Sequence, residues 1–254
     1  MIEVKDLSFR YSEDAILNQI SFSARPGQIT ALIGPNGVGK STLLKCIAGV
    51  RKVQGEVLIC GKNRDDMTRA EMASHLGYLC QNSRSAAELN VFEVVLMGLV
   101  GQLSFHVSQE EIDRVNRILD LMNIRRFARR KISQLSGGQQ QLVFIAQTLV
   151  KKPEVLILDE PTSALDLSHQ FQLMDLLRKE TIRENYTTLV CLHHLDLVVR
   201  YADRVVILKD GKVYDSAPPR EAFTEQMFRE VYGMQVEFFT DREGIRHMIP
   251  VDRI

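Results

Sequence analysis

The first 60 residues alternate between apolar and polar side chains, which is the pattern of strands with one buried face. The alternation predicts four strands, at residues 2–7, 16–22, 29–33 and 56–59. A glycine-rich turn follows the third strand, and a helix is predicted over residues 40–48, where Gly49 ends it. The chain is therefore predicted to run here from a strand through a glycine loop into a helix.

Helical spacing replaces the alternation between residues 83 and 152. Ser108 and Glu111 form the pattern of a capping box, and the apolar residues after them recur at helical intervals. These apolar residues are Ile112, Val115, Ile118, Leu119 and Met122. A second helix is predicted over residues 138–150, because Pro153 prevents its extension. We interpret this segment as a helical insertion.

Strands and helices alternate again from residue 153. Residues 155–158 form a short, wholly apolar run, which is typical of a strand that is covered on both faces. Strands are predicted at residues 155–158, 188–192, 205–208 and 212–214, with a helix over 167–181 and a tight turn at 210–211. Pro218 and Pro219 interrupt this pattern, and a helical tail over 221–232 and a hairpin around 241–244 follow. The alternation predicts an α/β fold with a largely parallel sheet.

Composition and charge narrow the class of protein. The 254 residues include 32 Lys and Arg against 32 Asp and Glu, so the net charge is zero, which argues against bulk attraction to nucleic acid or anionic lipid. No apolar run reaches the ~18 residues that span a bilayer. Acidic residues near the start stand where a signal peptide needs an apolar core, so we expect the chain to stay where it is made.

The cysteines are far apart and show no CxxC spacing. We expect them to be reduced cytosolic thiols, mostly in the core, and to form neither a zinc site nor a disulfide framework. They are Cys46, Cys60, Cys80 and Cys191.

Residues 34–42 carry a phosphate-binding motif. Their sequence, GPNGVGKST, fits the pattern G-x-x-x-x-G-K-[ST], in which the glycines let successive backbone N–H groups point at one phosphate chain. The following helix adds the positive end of its dipole. Lys40 is expected to reach the β- and γ-phosphates, and the Ser41 hydroxyl is expected to hold magnesium. The nucleotide-binding candidates are Gly34, Pro35, Asn36, Gly37, Val38, Gly39, Lys40, Ser41 and Thr42.

Two carboxylates follow the apolar strand at residues 155–158. The strand delivers Asp159 to the end of the sheet, where a carboxylate can hold magnesium directly or through water. Glu160 is next and is expected to lean toward the γ-phosphate. There it can polarise a water molecule for in-line attack, a contribution of about 10²–10⁴ in rate.

A third motif lies between these two, in the sequence LSGGQ at the start of the second predicted helix. Its members are Leu135, Ser136, Gly137, Gly138 and Gln139. Because the motif lies between the two nucleotide motifs and opens a helix, we interpret it as a second phosphate-binding helix end. Since one chain needs only one such end for each ATP, the economical hypothesis is that this end binds the nucleotide held by a partner chain.

Together the three motifs resemble the ATP-binding cassette of ABC transporters, and the resemblance covers nearly the whole chain. It implies an α/β fold: a P-loop NTPase core with a mostly parallel sheet, an antiparallel β subdomain and a helical insertion. A single domain over residues 1–254 would have its core in 1–82 and 153–216, its helical subdomain in 83–152 and a C-terminal tail in 217–254. The resemblance also implies ATP hydrolysis, with ATP and Mg²⁺ as cofactors.

The resemblance assigns further site residues. Tyr11 matches the aromatic residue that stacks on adenine, which is worth ~1–3 kcal/mol per base. Gln81 matches the Q-loop glutamine, a catalytic residue that also touches magnesium, and Asp166 matches the D-loop that bridges two cassettes. Of the adjacent His193 and His194, His193 directly follows a predicted strand, so we assign it the γ-phosphate contact of the switch histidine. A role for His194 stays open.

Three further stretches indicate the kind of cassette. Residues 90–98, 161–170 and 217–220, the last with 231–234, resemble the ATPase subunits of importers for iron–siderophore complexes, haem and vitamin B12. The resemblance implies a homodimer under two transmembrane permease subunits, at the cytoplasmic face of a prokaryotic membrane, supplied by an extracytoplasmic substrate-binding protein. No nucleic acid partner is expected. The cargo stays open among siderophore, haem, cobalamin and oxyanion.

Part of the helical insertion is a candidate for the permease docking groove, although the same residues fit the core of the insertion. They are Val91, Phe92, Leu96 and Met97.

Other classes of ATPase fit less well. A soluble cassette ATPase of iron–sulphur assembly would keep every nucleotide motif and differ only in its partner, so it is the alternative. A DNA-repair ATPase of the SMC type needs long heptad arms between the P-loop and the LSGGQ motif, where the chain has no room for them. A P-loop kinase has no use for the LSGGQ motif, and the Asn-Lys-x-Asp motif of a GTPase is absent.

Overall fold

The structure is a computed structural model that describes residues 1–11, 14–80, 88–99, 107–242, 244 and 246–253. The strands are β1 (Ile2–Tyr11), β2 (Asp14–Ala24), β3 (Gln28–Ile33), β4 (Gln54–Ile59), β5 (Lys62–Asn63), β6 (Leu76–Leu79), β7 (Val155–Asp159), β8 (Thr187–Cys191), β9 (Arg204–Lys209), β10 (Lys212–Ala217), β11 (Met234–Thr240) and β12 (Arg246–Arg253). The helices are α1 (Lys40–Ile47), α2 (Arg69–His75), α3 (Val91–Leu96), α4 (Gln109–Leu121), α5 (Gly137–Leu149), α6 (Leu167–Arg183), α7 (Leu195–Tyr201), α8 (Pro219–Ala222) and α9 (Glu225–Met227).

The central sheet has the strand order β10-β9-β3-β8-β7-β6. Its pairs are parallel except at the β10 edge, where β10 runs antiparallel to β9. Every residue of β7 and β8 is buried, since both faces of the sheet are covered by other elements. The parallel order brings the carboxyl ends of β3, β8 and β7 to one edge of the sheet. The predicted α/β class with a mostly parallel sheet is confirmed.

A separate antiparallel sheet has the order β2-β1-β4-β5. Its apolar face shares one hydrophobic core with α1 and one face of the central sheet, through residues such as Leu7, Leu43, Val57 and Val155. The other face of the central sheet packs on α3–α9 in a second core. The antiparallel β part that the resemblance implied is therefore present.

The helical segment follows the predicted signals closely. Ser108 accepts from the Glu111 N–H and its own N–H donates to the Glu111 carboxylate, so α4 begins in the expected capping box. The helix expected at 138–150 begins one residue earlier, at Gly137. Val91 is fully buried and belongs to the core, whereas Met97 is 50% exposed. The division of the chain into the predicted subdomains stays a prediction.

The C-terminal part differs from its prediction in one respect. The helical tail expected over residues 221–232 is present but interrupted: α8, α9 and a π turn at Phe228–Tyr232 share this stretch. The break occurs because the Thr224 hydroxyl accepts from the Met227 N–H at 3.0 Å, which starts a new helical turn. The hairpin predicted around 241–244 is confirmed as β11 and β12, with Gly244 at φ 78°.

Burial divides the cysteines into two pairs. Cys46 and Cys191 are buried, whereas Cys60 and Cys80 are only partly buried, so the expectation of mostly core thiols holds for two of the four. Among the described residues, no helix combines the length and the apolar character needed to cross a bilayer.

Candidate functional site

The phosphate-binding motif forms the loop between β3 and α1. Gly34 has φ 143°, and a Cβ atom there would lie 2.4 Å from the carbonyl oxygen of Leu208, so both the conformation and the space require glycine. Gly39 has φ 106° and occupies the N-cap position of α1. The loop therefore turns sharply and aims the first turn of α1 at the space in front of it, as the motif predicts.

The Lys40 side chain is folded back into this loop. Its ammonium group donates to the carbonyl oxygens of Gly34, at 2.7 Å, and Pro35, at 2.9 Å. Burial lowers the pKa of Lys40, and the carboxylates of Glu160 and Asp159 act in the opposite direction. A positive charge is thus held at the centre of the loop by backbone oxygens.

Asp159 ends β7 beside the start of α1. Its carboxylate is fully buried: Oδ1 accepts from the Ser41 hydroxyl at 3.1 Å, and Oδ2 has no hydrogen-bond partner among the described residues. Burial raises the pKa of Asp159, and the hydrogen bond from Ser41 opposes that rise. An orphaned carboxylate oxygen next to a hydroxyl is a hard oxygen donor set, which is the chemistry that Mg²⁺ prefers. The residues present therefore fit the predicted magnesium site.

Glu160 and His193 contact each other directly. The Nε2 atom of His193 lies 2.5 Å from Oε1 of Glu160, across the short gap between the ends of β7 and β8. Glu160 has φ 53°, a conformation that costs of order 1–3 kcal/mol in a residue other than glycine and is typical of functional sites. His194 occupies the N-cap of α7 without a side-chain capping bond. The geometry therefore favours His193 over His194 for the predicted role.

The glycine loop, Glu160 and His193 line one open cavity of about 520 Å³. Tyr11, which is 41% exposed, forms another part of its wall. The ring of Tyr11 is held edge-on by Phe9 at 4.7 Å between centroids, and the Arg51 guanidinium lies 5.7 Å from its centre. An aromatic face, a phosphate loop and a carboxylate–imidazole pair thus share one space of nucleotide size.

The LSGGQ motif lies elsewhere in the same chain. Ser136 caps α5: its Oγ accepts from the Gln139 N–H at 3.3 Å, and the Gln139 side chain accepts from the Ser136 N–H at 3.1 Å. Gly138 packs so closely on the loop after β7 that a Cβ atom would lie 2.8 Å from the Ala164 carbonyl oxygen. The described residues that line the cavity of the glycine loop do not include this motif.

A second cavity, of about 530 Å³, contains the helix end together with Asp166. Asp166 caps α6, because its Oδ1 accepts from the His169 N–H at 2.9 Å, and it also contacts His169 Nδ1 at 2.7 Å. The predicted D-loop residue and the LSGGQ motif therefore share one surface of the chain.

Two lining residues were not singled out from the sequence. Ile16 lines the nucleotide-sized cavity beside Tyr11, and Arg253 lines a cavity of about 420 Å³ beside Asn36 and His193. Neither stands in a local motif, since only the pairing of strands brings them to the site. The predicted residue Gln81 lies outside the described residues.

Comparison with known proteins agrees with this geometry. A family model described as "ABC transporter" matches residues 17–163. A hemin import ATP-binding protein of Aliivibrio fischeri is 37% identical, over 91% of this chain and 90% of its own. A probable iron chelatin transport ATP-binding protein of Helicobacter pylori is 35% identical, over 93% of this chain and 94% of its own.

Solved structures are similar over most of the fold. One belongs to an inward-facing transporter described as of the metal-chelate type, with a TM-score of 0.85, 26% identity and coverage of 99% of this chain and 97% of that chain. Another is a dimeric ATP-binding cassette in a post-hydrolysis state with ADP and phosphate, with a TM-score of 0.78, 30% identity and coverage of 87% and 99%. The family predicted from the motifs is confirmed: this chain belongs to the ABC transporter family as an ATP-binding ATPase.

Proposed function

We propose that two copies of this chain meet head to tail and enclose two ATP molecules between them. The observation that carries this proposal is the separation of the two phosphate-binding ends: the glycine loop and the LSGGQ motif line different cavities of one chain. A helix end that faces no phosphate site of its own chain is available to a nucleotide bound by another copy. The similarity to a cassette solved as a dimer with ADP and phosphate supports the same arrangement.

Each side chain has a distinct task in this proposal. The glycine loop and Lys40 bind the phosphates, and Tyr11 stacks on the adenine. Ser136 and the first N–H groups of α5 close on the γ-phosphate of the partner's nucleotide. Asp166, on the same surface as Ser136, lies where the two copies would meet.

Magnesium would be held by Ser41 and Asp159, with the predicted ligand Gln81. A bound Mg²⁺ would supply positive charge that offsets the negative charge of the phosphates. Ser41 and Asp159 are already joined by a hydrogen bond, so the two oxygens need little rearrangement to share a cation.

Glu160 and His193 form the catalytic pair of the proposal. Glu160 accepts a proton from the attacking water, and the His193 imidazole, 2.5 Å from the carboxylate, fixes its direction and reaches the γ-phosphate. The buried residues of β7 keep Glu160 and His193 in place while the phosphates fill the cavity in front of them.

Substitution of Glu160 tests the catalytic assignment. Glu160→Gln should lower the ATPase rate about 10²–10⁴-fold while ATP binding is retained, and ATP should shift this variant from monomer to dimer in size-exclusion chromatography. The matched control is Glu56→Gln, at an exposed carboxylate that pairs with Lys5 on the antiparallel sheet. It should hydrolyse ATP at the parent rate. Parent-like hydrolysis by Glu160→Gln, or ATPase activity per chain that does not fall on dilution, contradicts the proposal.

We further propose that the cargo of the assembly is a metal chelate: an iron–siderophore complex, haem or cobalamin. The names of the relatives support this, since they are import proteins for hemin and iron chelates, and the structural similarity to a metal-chelate type transporter points the same way. These names favour the importer over the alternative in iron–sulphur assembly. The chain would then sit at the cytoplasmic face of the membrane under two permease subunits, with an extracytoplasmic protein that delivers the chelate.

The permease contact is assigned to the exposed end of α3. Of the four candidates, Val91 is buried, Phe92 and Leu96 are partly buried against the core, and Met97 is 50% exposed. Met97 is therefore the side chain available to a partner in this group.

Reconstitution of the whole complex in liposomes tests the cargo. ATP-dependent uptake should be seen for one of iron–siderophore, haem or cobalamin, and the complex that carries Glu160→Gln should show none. Met97→Glu should weaken association with the permease and leave the ATPase activity of the isolated chain unchanged. Uptake of none of the three chelates, or recovery of the chain from the cytosol with iron–sulphur assembly proteins, contradicts the proposed cargo.

A further inference from the structure

Three side chains with different metal-binding atoms meet on the surface far from the nucleotide cavity. The Cys60 Sγ, His75 Nδ1 and Glu154 Oε1 atoms all lie within 4.8 Å of one another. Glu154 directly precedes β7, whereas Asp159 ends that strand. At ~3.3 Å per residue along the strand, the cluster is therefore about 16 Å from the Asp159 carboxylate, at the amino end of β7.

The three residues come from separate parts of the fold that are fixed by backbone bonds. Cys60 begins the turn between β4 and β5, and its N–H donates to the Met1 carbonyl at 2.9 Å. His75 is the last residue of α2, and the Lys151 ammonium anchors that helix through the Ala73 carbonyl at 2.7 Å. The Glu154 carbonyl accepts from β8 at 2.8 Å. The donor atoms are thus presented by a rigid frame.

Within the cluster the side chains already contact each other. His75 Nδ1 lies 2.6 Å from Glu154 Oε1, and the Cys60 Sγ atom lies within 4.8 Å of both. Burial raises the pKa of Cys60, so without a cation the thiol stays protonated at neutral pH. The His75 and Glu154 side chains are 36% and 61% exposed, which leaves them free to adjust by about an ångström.

We propose that Cys60, His75 and Glu154 form a binding site for a divalent transition-metal ion of the zinc class, with its remaining coordination positions open to solvent. A thiolate, an imidazole and a carboxylate are the ligands that zinc takes in proteins, whereas Mg²⁺ and Ca²⁺ prefer oxygen alone. With bonds of about 2.0–2.3 Å, tetrahedral ligand atoms are roughly 3.3–3.7 Å apart. The histidine–glutamate contact would widen by less than 1 Å to reach that spacing.

This proposal departs from the expectation drawn from the cysteine spacing. That spacing excludes a site made of cysteines with one another, whereas the partners of Cys60 here come from α2 and from the residue before β7. Only the folded chain brings them together. The ion would join the antiparallel sheet, α2 and the central sheet at one point, so binding should stabilise the fold.

Cobalt absorption tests the site on the full-length, nucleotide-free chain. Titration with Co²⁺ should produce a thiolate-to-metal charge-transfer band in the near ultraviolet, and Zn²⁺ should remove the band by competition. Cys60→Ser should abolish the band, and His75→Gln and Glu154→Gln should each weaken Co²⁺ binding at least 10-fold. The proposed magnesium site has oxygen ligands only, so a metal bound there does not produce this band. The band therefore tests the cluster whether or not the proposed function is correct.

Two cysteine variants serve as matched controls. Cys80→Ser removes a second partly buried thiol outside the cluster and should keep the band. Cys191→Ser removes the buried thiol near Glu160 and His193, and it should keep the band too. This control is needed because the ligand atoms of Cys191, Glu160 and His193 also lie within 4.8 Å of one another. A parent chain without the band, or a band lost in Cys191→Ser but kept in Cys60→Ser, overturns the proposal.

Thermal unfolding gives an independent measurement. Zn²⁺ at 100 times its dissociation constant should raise the Tm of the parent and of Cys80→Ser by about 5–10 °C. The same Zn²⁺ concentration should raise the Tm of His75→Gln and Cys60→Ser by no more than about half as much, because binding that is 10-fold weaker or worse loses at least half of the stabilisation. An equal shift in all four proteins would mean that the ion binds elsewhere, and the assignment would be wrong.

Discussion

The two neighbouring glycines of the LSGGQ motif provide a matched pair for testing the packing of the helix end. Gly137 and Gly138 are the first two residues of α5, and neither has a positive φ, so both accept an alanine backbone. Among the residues that the structure describes, a Cβ atom on Gly137 would meet only the Ala164 methyl group, at 4.0 Å. A Cβ atom on Gly138 would lie 2.8 Å from the Ala164 carbonyl oxygen, which is too close without a shift of the backbone.

The magnitude follows from two opposing effects. Alanine in place of glycine in a helix stabilises by about 0.5–1 kcal/mol in both variants. Overpacking against a fixed backbone atom costs about 1–3 kcal/mol and affects Gly138→Ala alone. The difference between the variants is therefore the overpacking cost. At about 2–4 °C per kcal/mol for a chain of this size, Gly137→Ala should unfold roughly 2–12 °C above Gly138→Ala.

Calorimetry of the nucleotide-free variants measures this difference, and the parent chain is the reference. The Tm of Gly137→Ala should equal or exceed the parent value, whereas that of Gly138→Ala should be lower. Equal Tm values would refute the contact with Ala164. In the proposed dimer the partner's nucleotide approaches the backbone of Gly137, so Gly137→Ala should also lose ATPase activity although its stability is intact. Full activity in that variant would contradict the close approach of the nucleotide.

Two further predictions concern the adenine contact and the buried thiols. Tyr11→Ala should weaken ATP binding about 5- to 100-fold, measured with a fluorescent nucleotide analogue. Tyr11→Phe should retain the affinity, because stacking needs only the ring, and equal losses in both variants would contradict stacking. Burial raises the pKa of Cys46 to about 11 and that of Cys191 to about 12, so both thiols stay protonated at pH 8. A thiol reagent should then modify them in the native chain far more slowly than after unfolding, as measured by peptide mass spectrometry, and equal rates in both states would contradict their burial.

The parts of the fold that the sequence predicted well are those with strong local signals. The capping box predicted at Ser108 marks the start of α4, and the helix predicted from residue 138 begins one residue earlier, at Gly137. The wholly apolar run at residues 155–158 identified β7, because a strand covered on both faces needs no alternation. At the site, the motif around Lys40 determined the loop geometry, since glycine conformations there are set locally.

The elements that were missed have weak local signals. β6 has only four residues, and α2 buries no side chain, so neither produces a clear hydrophobic period. The tail at 221–232 kept a helical period, although the Thr224 cap interrupts the helix. The cluster of Cys60, His75 and Glu154 was missed for a related reason, because three segments that are distant along the chain meet only in the folded protein.

The order of the strands explains why the proposed catalytic pair forms at all. β8 lies between β3, which the phosphate loop follows, and β7, which ends in Asp159 and is followed by Glu160. A residue directly after β8 is therefore the one that reaches both neighbours, and His193 follows β8 after Leu192 and contacts Glu160 at 2.5 Å. Since strand order is set by crossovers and not by local sequence, the motifs alone could not place the histidine between the two sites. In the proposed mechanism, an imidazole at this position would connect the base Glu160, directly after β7, with phosphates bound at the end of β3.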